Sequence, residues 1–213
     1  MNILAVDTST EFASVALLRD GSVVSDLRDS GKFAHNQRLF DMISEVLSVS
    51  GINKNDIDLF AVGVGPGSFT GLRVGVSAVK GMAIGLNKKI IPISSIDSSA
   101  LRAFTDLPEA KKINIILEGR QKDFFHAEYS FEGGDVRKIS EIIVRPYEEY
   151  CYINGLTAGN VKREFVGIAD YREGYDPDAV YIGKLAYLRK GSAGYDYGFE
   201  PEYYKEFKVR QLS

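Results

Sequence analysis

Ile3-Leu4-Ala5-Val6 runs straight into Asp7-Thr8-Ser9-Thr10, and Ser14-Val15-Ala16-Leu17-Leu18 then reaches Asp20-Gly21 before Ser22–Leu27. Short apolar runs bounded by polar residues read as buried strands. Asp-Gly between two such runs is a tight-turn signal, so the second and third runs form a hairpin. Further along, Leu39, Ile43, Val46 and Leu47 recur at helical spacing between residues 36 and 50, and Gly51 ends that helix. Leu59–Val64 reads as another buried strand. A Gly-Pro-Gly turn follows, then a helix from about Thr70 to Leu86, a strand at Ile90–Ile93 and a helix at Ser95–Phe104. The order is βββαβαβα.

The second half opens in a similar way. Ile113–Leu117 ends at Glu118 as Ile3–Val6 ends at Asp7, an offset of 111 residues. Phe124–Phe131 then reaches Gly133-Gly134, with one extra residue assigned before that turn. Beyond it the likeness fades, although Pro177 to Lys190 reads as a helix with proline near its first turn. All twelve tyrosines lie after residue 100. Pro108 and its polar neighbours place a boundary at Thr105 to Lys112, giving lobes 1–104 and 105–213. This duplicated α/β pattern suggests the two-lobed actin, sugar-kinase and Hsp70 architecture (ribonuclease H-like) with a degenerate second lobe. Such folds bind nucleotide between their lobes.

Composition narrows the function. Apolar residues are 45% and charged residues 26% of 213, the balance of a folded globule. Lys+Arg is 26 against Asp+Glu 29, so the net charge is −3. A free-standing nucleic-acid binder carries a basic excess, so contact with RNA is expected only inside a larger complex. A local basic patch at Lys205, Lys208 and Arg210 is the candidate for such contact. Cys151 is the only cysteine, which excludes an internal disulfide and fits a reducing compartment. It reads as a small buried hydrophobe. His35 and His126 are the only histidines, too few for a closed Cys/His zinc site. No apolar run reaches the roughly 18 residues of a membrane span, and residues 1–7 lack a signal-peptide pattern. The expectation is a cytoplasmic protein with no membrane association.

Two stretches carry candidate chemistry. Asp7-Thr8-Ser9-Thr10 sets a carboxylate and three hydroxyls at a strand end, suited to a phosphate-bound cation or simply to a turn. Gly63-Val64-Gly65-Pro66-Gly67-Ser68-Phe69-Thr70-Gly71-Leu72-Arg73-Val74-Gly75 follows a strand and opens a helix. Helix N-termini attract anions, yet this is neither the triphosphate P-loop nor the dinucleotide fingerprint. Its other reading is a tight turn with Ser68 or Thr70 as N-cap. Asp7, Thr8, Gly65, Gly67, Ser68 and Thr70 are therefore the candidate phosphate-facing residues, with weak nucleotide binding open and no cofactor required. Gly71, Gly75, Gly81 and Gly85 fall four apart in pairs. Each costs roughly 1 kcal/mol against alanine in a helix, which implies a close contact with the sheet or with a second subunit. His35 reads as a capping or packing residue and His126 as part of a hairpin face.

These residues resemble the TsaB family, also called YeaZ. Asn2 to Thr10 with Ser14-Val15-Ala16-Leu17 is similar to the family's opening, and His35-Asn36-Gln37 to its His-x-Gln approach to the first helix. Gly65 to Gly75, continued by Ala78-Val79-Lys80-Gly81-Met82-Ala83, is nearly the family signature. Glu200-Pro201-Glu202-Tyr203-Tyr204 resembles its closing Pro-x-Tyr segment. Glu118-Gly119-Arg120 departs from the usual Asp-Ala-Arg.

The resemblance implies a role in threonylcarbamoyl modification of the tRNA adenosine beside the anticodon. In that scheme chemistry belongs to a paralogue, TsaD, with TsaE as an ATPase partner. TsaD holds its metal through a His-x-x-x-His pair, and Ser95 and Ser99 stand at those positions here. A serine hydroxyl is a poor ligand for zinc or iron beside imidazole, so no metal site and no catalytic residue are expected. The implied role is a non-catalytic subunit that pairs with a TsaD-like protein or with itself and meets tRNA only through the complex. Leu39, Ile43, Gly71, Gly75, Val79 and Met82 are the expected interface, so Gly75→Leu should weaken assembly and leave the monomer folded. Alternatives are a peptidase, a small ATPase of the same fold, or a homodimeric scaffold unrelated to tRNA.

Overall fold

The computed structural model describes residues 1–29 and 38–204. Its first half contains β1 (Asn2–Asp7), β2 (Ala13–Arg19), β3 (Ser22–Asp29), α1 (Leu39–Ser50), β4 (Leu59–Gly63), α2 (Phe69–Gly85), β5 (Lys89–Ile93) and α3 (Ser95–Asp106). The βββαβαβα order follows the sequence pattern, with ends shifted by a few residues. The β2–β3 turn is as the Asp-Gly pair demands: Asp20 and Gly21 have φ of 51° and 83°, the paired positive values of a type I′ hairpin. Gly51 ends α1 in the left-handed conformation, φ 65°. Of the two candidate caps for α2, Ser68 is the one used: its Oγ accepts from the Gly71 N–H at 3.3 Å.

The strands form a sheet of order β3-β2-β1-β4-β5. β1 is antiparallel to β2 and parallel to β4, so Ala5 lies between Ala16 and Ala61. The second half contains β6 (Lys112–Glu118), β7 (Asp123–Glu132), β8 (Asp135–Lys138), β9 (Ile143–Pro146), β10 (Thr157–Gly159), β11 (Tyr171–Glu173) and α4 (Ala179–Leu188). Its sheet runs β11-β10-β6-β7-β8, with β9 pairing the start of β7 and β8 pairing its end. An antiparallel pair beside two parallel strands thus repeats the first sheet. What has degenerated is the helices. Where α1 and α2 cover the first sheet, the 3-10 segment at Tyr147–Tyr152 and the loop residues Ile153, Val161, Val166 and Ile168 cover the second.

The repeat has a different phase from the one read in the sequence. Ile3 and Ala5 face the core shared by the two sheets, as do Ile113 and Ile115. The in-phase offset on the first strand is therefore 110, from Ile3 to Ile113, and Asp7 corresponds to Leu117. Glu118 belongs to the opposite face, because a one-residue slip exchanges the faces of a strand. On the second strand the offset is 111, Ala16 matching Ala127. One extra residue therefore sits in the loop between the first two strands, and two more precede the hairpin turn, where Asp20-Gly21 matches Gly133-Gly134 at an offset of 113.

Each half lends a helix to the shared core. α4 lies on β1 and β2 with Ala179, Ile182, Leu185 and Ala186 facing Ala16 and Leu18. α3 lies on β6, and α3 and α4 pack on each other between the sheets. Gly183 allows the close approach of α4, since a Cβ there would fall 2.2 Å from Leu18 Cδ1. On the other face of the first sheet, Leu4, Val6, Val15 and Leu17 pack against α1 and α2. The chain then returns to the first lobe as a strap. Gly194 bridges to Ile90, Tyr197 Oη donates to the Lys88 carbonyl at 2.8 Å, and the Glu202 N–H donates to the Val64 carbonyl at 2.8 Å.

Candidate functional site

Asp7 ends β1 with its carboxylate buried, 1% exposed. Oδ1 accepts from the Ser9 N–H at 2.9 Å and the Ser9 hydroxyl at 2.6 Å, and Oδ2 accepts from the Ser95 hydroxyl at 2.8 Å. Burial raises its pKa above the usual carboxylate value; the bonds from Ser9 and Ser95 oppose that shift. Ser95 Oγ also accepts from the Gly65 N–H at 3.2 Å, and the Ser95 N–H donates to the Gly65 carbonyl at 2.6 Å. Asp7 thereby ties β1 to the glycine-rich loop and to the first turn of α3.

The glycine-rich stretch closes on the turn after β1. A Cβ at Gly63 would lie 1.9 Å from Asp7 Oδ2, one at Gly67 2.2 Å from the Ser9 carbonyl oxygen, and one at Gly75 2.2 Å from Thr8 Oγ1. Thr8 Oγ1 donates to the Gly71 carbonyl at 2.7 Å, and the Ser68 N–H donates to the Ser9 carbonyl at 2.6 Å. Asp7, Thr8, Gly65, Gly67 and Ser68 are thus brought together, with Ser9, Ser95 and Gly71 as the hydrogen-bond partners of Asp7, Thr8, Gly65 and Ser68. Thr70 is exposed at the start of α2. His35, Asn36, Gln37, Lys205, Lys208 and Arg210 lie outside the described residues.

A family model described as "TsaD: tRNA N6-adenosine threonylcarbamoyltransferase" matches residues 30–169. The tRNA threonylcarbamoyladenosine biosynthesis protein TsaB of Haemophilus influenzae is 34% identical over 212 residues, covering 89% of this chain and 88% of that one. This chain belongs to the TsaB family. The TsaB of Escherichia coli is 36% identical over 129 residues, 61% of this chain and 55% of its own length. Among solved structures, YeaZ from Pseudomonas aeruginosa superposes with a TM-score of 0.80 at 25% identity, covering 95% of this chain and 99% of that one. The ethanolamine utilization protein EutJ from Carboxydothermus hydrogenoformans matches with a TM-score of 0.51 at 11% identity, which speaks to the fold alone. The architecture is the actin-like one expected from the duplicated strands.

Within this TsaB fold, Ser95 and Ser99 are both 0% exposed on α3. Ser95 is part of the Asp7 network, and Ser99 Oγ has no hydrogen-bond partner among the described residues. Glu118 does not repeat Asp7: it accepts from the Tyr147 hydroxyl at 3.2 Å on the opposite face of its sheet. Burial and the adjacent Glu118 carboxylate push the Tyr147 phenol up to about 12. His126, on β7, bonds through Nε2 to Asn114 Oδ1 at 3.0 Å. The Asn114 amide donates to the carbonyls of Asn154 and Leu156, which leaves its oxygen as acceptor and Nε2 as the protonated ring nitrogen. Burial, then the nearby Arg145 guanidinium, lowers the His126 pKa to about 4. Among the described residues no group of three His, Cys, Asp or Glu could hold a metal ion.

The expected interface residues are mostly turned inward. Leu39, Ile43 and Val79 are 2%, 3% and 0% exposed in the core beneath α1 and α2. Gly71 and Gly75 meet Thr8, and Met82 is half-buried against the same core. The reason is simple: apolar residues at helical spacing mark the face a helix buries in its own domain. The expectation that Gly75→Leu spares the monomer is corrected accordingly, because the close contact of Gly75 is internal. Gly81 and Gly85 are exposed, and a Cβ at either would meet nothing within 4 Å. The apolar side chains these helices show to solvent are Phe40, Val49 and Ile84. No spacing rule singled them out. Tyr203, the tyrosine of the closing Pro-x-Tyr segment, brings its ring to 4.8 Å from that of Phe69 at the start of α2, a contact the sequence did not indicate.

Proposed function

We propose that this chain is a non-catalytic subunit of a threonylcarbamoyltransferase complex that modifies the tRNA adenosine next to the anticodon. The observation that carries this reading is the buried hydrogen bond from Ser95 to Asp7. Ser95 stands where the resemblance to TsaD would put a metal-binding histidine, and its hydroxyl is committed to the chain's own carboxylate. Membership of the TsaB family and the match to the TsaD model support the same place in tRNA modification. The catalytic partner is a TsaD-like subunit, with a TsaE-like ATPase in the same system and a second copy of this chain as the other binding option. Docking uses the exposed side of α1 and α2, where Phe40, Val49 and Ile84 lie open. tRNA is met through the assembled complex, since the net charge of −3 offers no basic excess.

The subunit requires no nucleotide of its own. In support, the loop amide that an anion would use on Ser68 donates to Ser9, and the Asp7 carboxylate already accepts three hydrogen bonds. One structural neighbour is titled as similar to peptidase YEAZ, with a TM-score of 0.83 at 26% identity. Against a peptidase reading stands His126, which is buried and bonded to Asn114 and not to a nucleophile. No helix of the described residues is long and apolar enough to cross a membrane, which is consistent with a cytoplasmic subunit.

The test is threonylcarbamoyl incorporation into tRNA by purified TsaD-like and TsaE-like partners, with and without this chain. Incorporation that needs this chain, with none from the chain alone, is the expected result. Equal incorporation in its absence refutes the reading, and peptide hydrolysis by the pure chain refutes the non-catalytic part of it.

A further inference from the structure

Arg73 lies on the exposed side of α2, one turn from its start. Its guanidinium carbon sits 3.8 Å from the centroid of the Phe69 ring and 5.9 Å from that of Tyr203. Its Nε donates to the Tyr203 hydroxyl at 3.1 Å. Stacking and one hydrogen bond therefore orient the planar fork, and its two terminal nitrogens have no hydrogen-bond partner among the described residues. None of the described ion pairs uses Arg73. Helix α2, FTGLRVGVSAVKGMAIG, carries no acid. Its other cation, Lys80, is occupied by the Phe199 carbonyl and ring.

We infer that Arg73 is an anchor for a carboxylate side chain of the partner subunit docked on the exposed side of α2. The inference rests on the subunit reading above and adds the chemistry of the contact. A guanidinium fork matches a carboxylate with two parallel hydrogen bonds. An arginine held by aromatic rings loses little further freedom on binding, which is where interface arginines gain most. An RNA backbone is the poorer fit, because phosphate binding draws on several clustered cations. Here the neighbouring lysine is occupied, and the strap that supplies Tyr203 also carries Glu200 and Glu202.

The experiment is calorimetric binding of the purified chain to its TsaD-like subunit. Arg73→Gln should weaken binding about 30-fold, the scale of one hot-spot residue. Arg73→Lys should stay at least about fivefold weak, since a point charge lacks the fork. Tyr203→Phe should weaken binding by less, because stacking remains and only the Nε bond is lost. Arg137→Gln, at an exposed arginine paired with Glu132, should leave binding unchanged and so excludes a general charge effect. Circular dichroism and the melting temperature of each variant confirm the fold. Wild-type affinity in Arg73→Gln overturns the inference, as does full affinity in Arg73→Lys. Loss of tRNA binding by the assembled complex, with subunit affinity intact, also overturns it and puts the fork on RNA. Ile84→Asp separates the two levels. Weakening there with none in Arg73→Gln leaves the subunit reading standing and removes the anchor; no binding by the wild type removes both.

Discussion

Gly75→Ala and Gly81→Ala should change stability in opposite directions, although the two glycines share one helix. Alanine gains about 1 kcal/mol over glycine in a helix interior. At Gly81 nothing lies within 4 Å of the new methyl group, so the variant should be more stable by about 0.5–1 kcal/mol. At Gly75 the methyl would fall 2.2 Å from Thr8 Oγ1 and 3.4 Å from Thr8 Cβ and Cγ2. Thr8 is 0% exposed and its hydroxyl donates to the Gly71 carbonyl. Turning the hydroxyl away leaves a buried group unpaired, at about 1–3 kcal/mol. Moving the helix instead overpacks the joint at a similar cost. After the alanine gain of about 1 kcal/mol, the net loss is up to about 2 kcal/mol, or up to roughly 8 °C in melting temperature for a chain of this size. Thermal and urea unfolding followed at 222 nm read both values. The double variant Thr8→Ala/Gly75→Ala should lose at least about 1 kcal/mol less than the sum of the single losses, because the contacting atom is gone. Equal stability of Gly75→Ala and Gly81→Ala, or strict additivity in the double variant, would refute the internal contact.

Three further outcomes follow from buried charge. The His126 pKa falls from its ordinary 6.5 to about 4, so the fold favours the neutral ring. Stability from this group is present above about pH 6.5 and is lost as the pH falls through that range towards 4, by up to about 2–3 kcal/mol after allowance for solvent screening. Its ring proton resonances should stay unshifted from pH 7.5 to 5.5; a midpoint near 6.5 would contradict the burial. Asp7 titrates above its unfolded value because burial outweighs its hydrogen bonds, so the ionised form is penalised and stability rises as the pH falls through the folded pKa. Asp7→Asn should accordingly be within about 1 kcal/mol of the wild type at pH 7 and should lack that rise; a loss well above this, measured by urea unfolding, would show the charge itself to be required. Arg189 joins α4 to Asp97 on α3 and, with two bonds, to Asp135 on β8. Arg189→Gln should cost about 2–4 kcal/mol by leaving two partly buried carboxylates unpaired, and a change below about 1 kcal/mol would count against that joint.

The first lobe was legible because each of its signals is local. Asp20-Gly21 sets one turn, Ser68 caps one helix, and the strands are continuous apolar runs. The second lobe was less legible because its parallel strands, Thr157–Gly159 and Tyr171–Glu173, are three residues long and too short for any period to show. The first is a strand because β6 offers an edge to pair with, and the second because β10 then offers its own. The repeat itself was visible, but not its phase. A match between two acidic residues, Asp7 and Glu118, fixed the offset one residue out, and a strand records such an error only in which face is buried. The interface positions failed for a related reason. Helical periodicity finds Leu39, Ile43 and Val79 because they are core, and exposed residues such as Phe40, Ile84 and Arg73 lie off that stripe.

The two stretches that looked like separate sites are two sides of one joint. Gly63, Gly67, Gly71 and Gly75 are spaced by four, and each would collide with Asp7, Ser9 or Thr8 if it bore a side chain. The regular spacing crosses a strand end, a loop and a helix, so no single element's geometry explains it; the shape of the turn after β1 does. In a nucleotide-binding member of such a fold, that approach would leave backbone amides open to a ligand. Here Ser9 accepts the Ser68 amide, and Ser95 accepts the Gly65 amide while donating to Asp7. A glycine-rich motif therefore reports only that two backbones come close. Whether a ligand lies between them depends on the partners of the amides, and in this chain the Gly65 and Ser68 amides are given to its own serines.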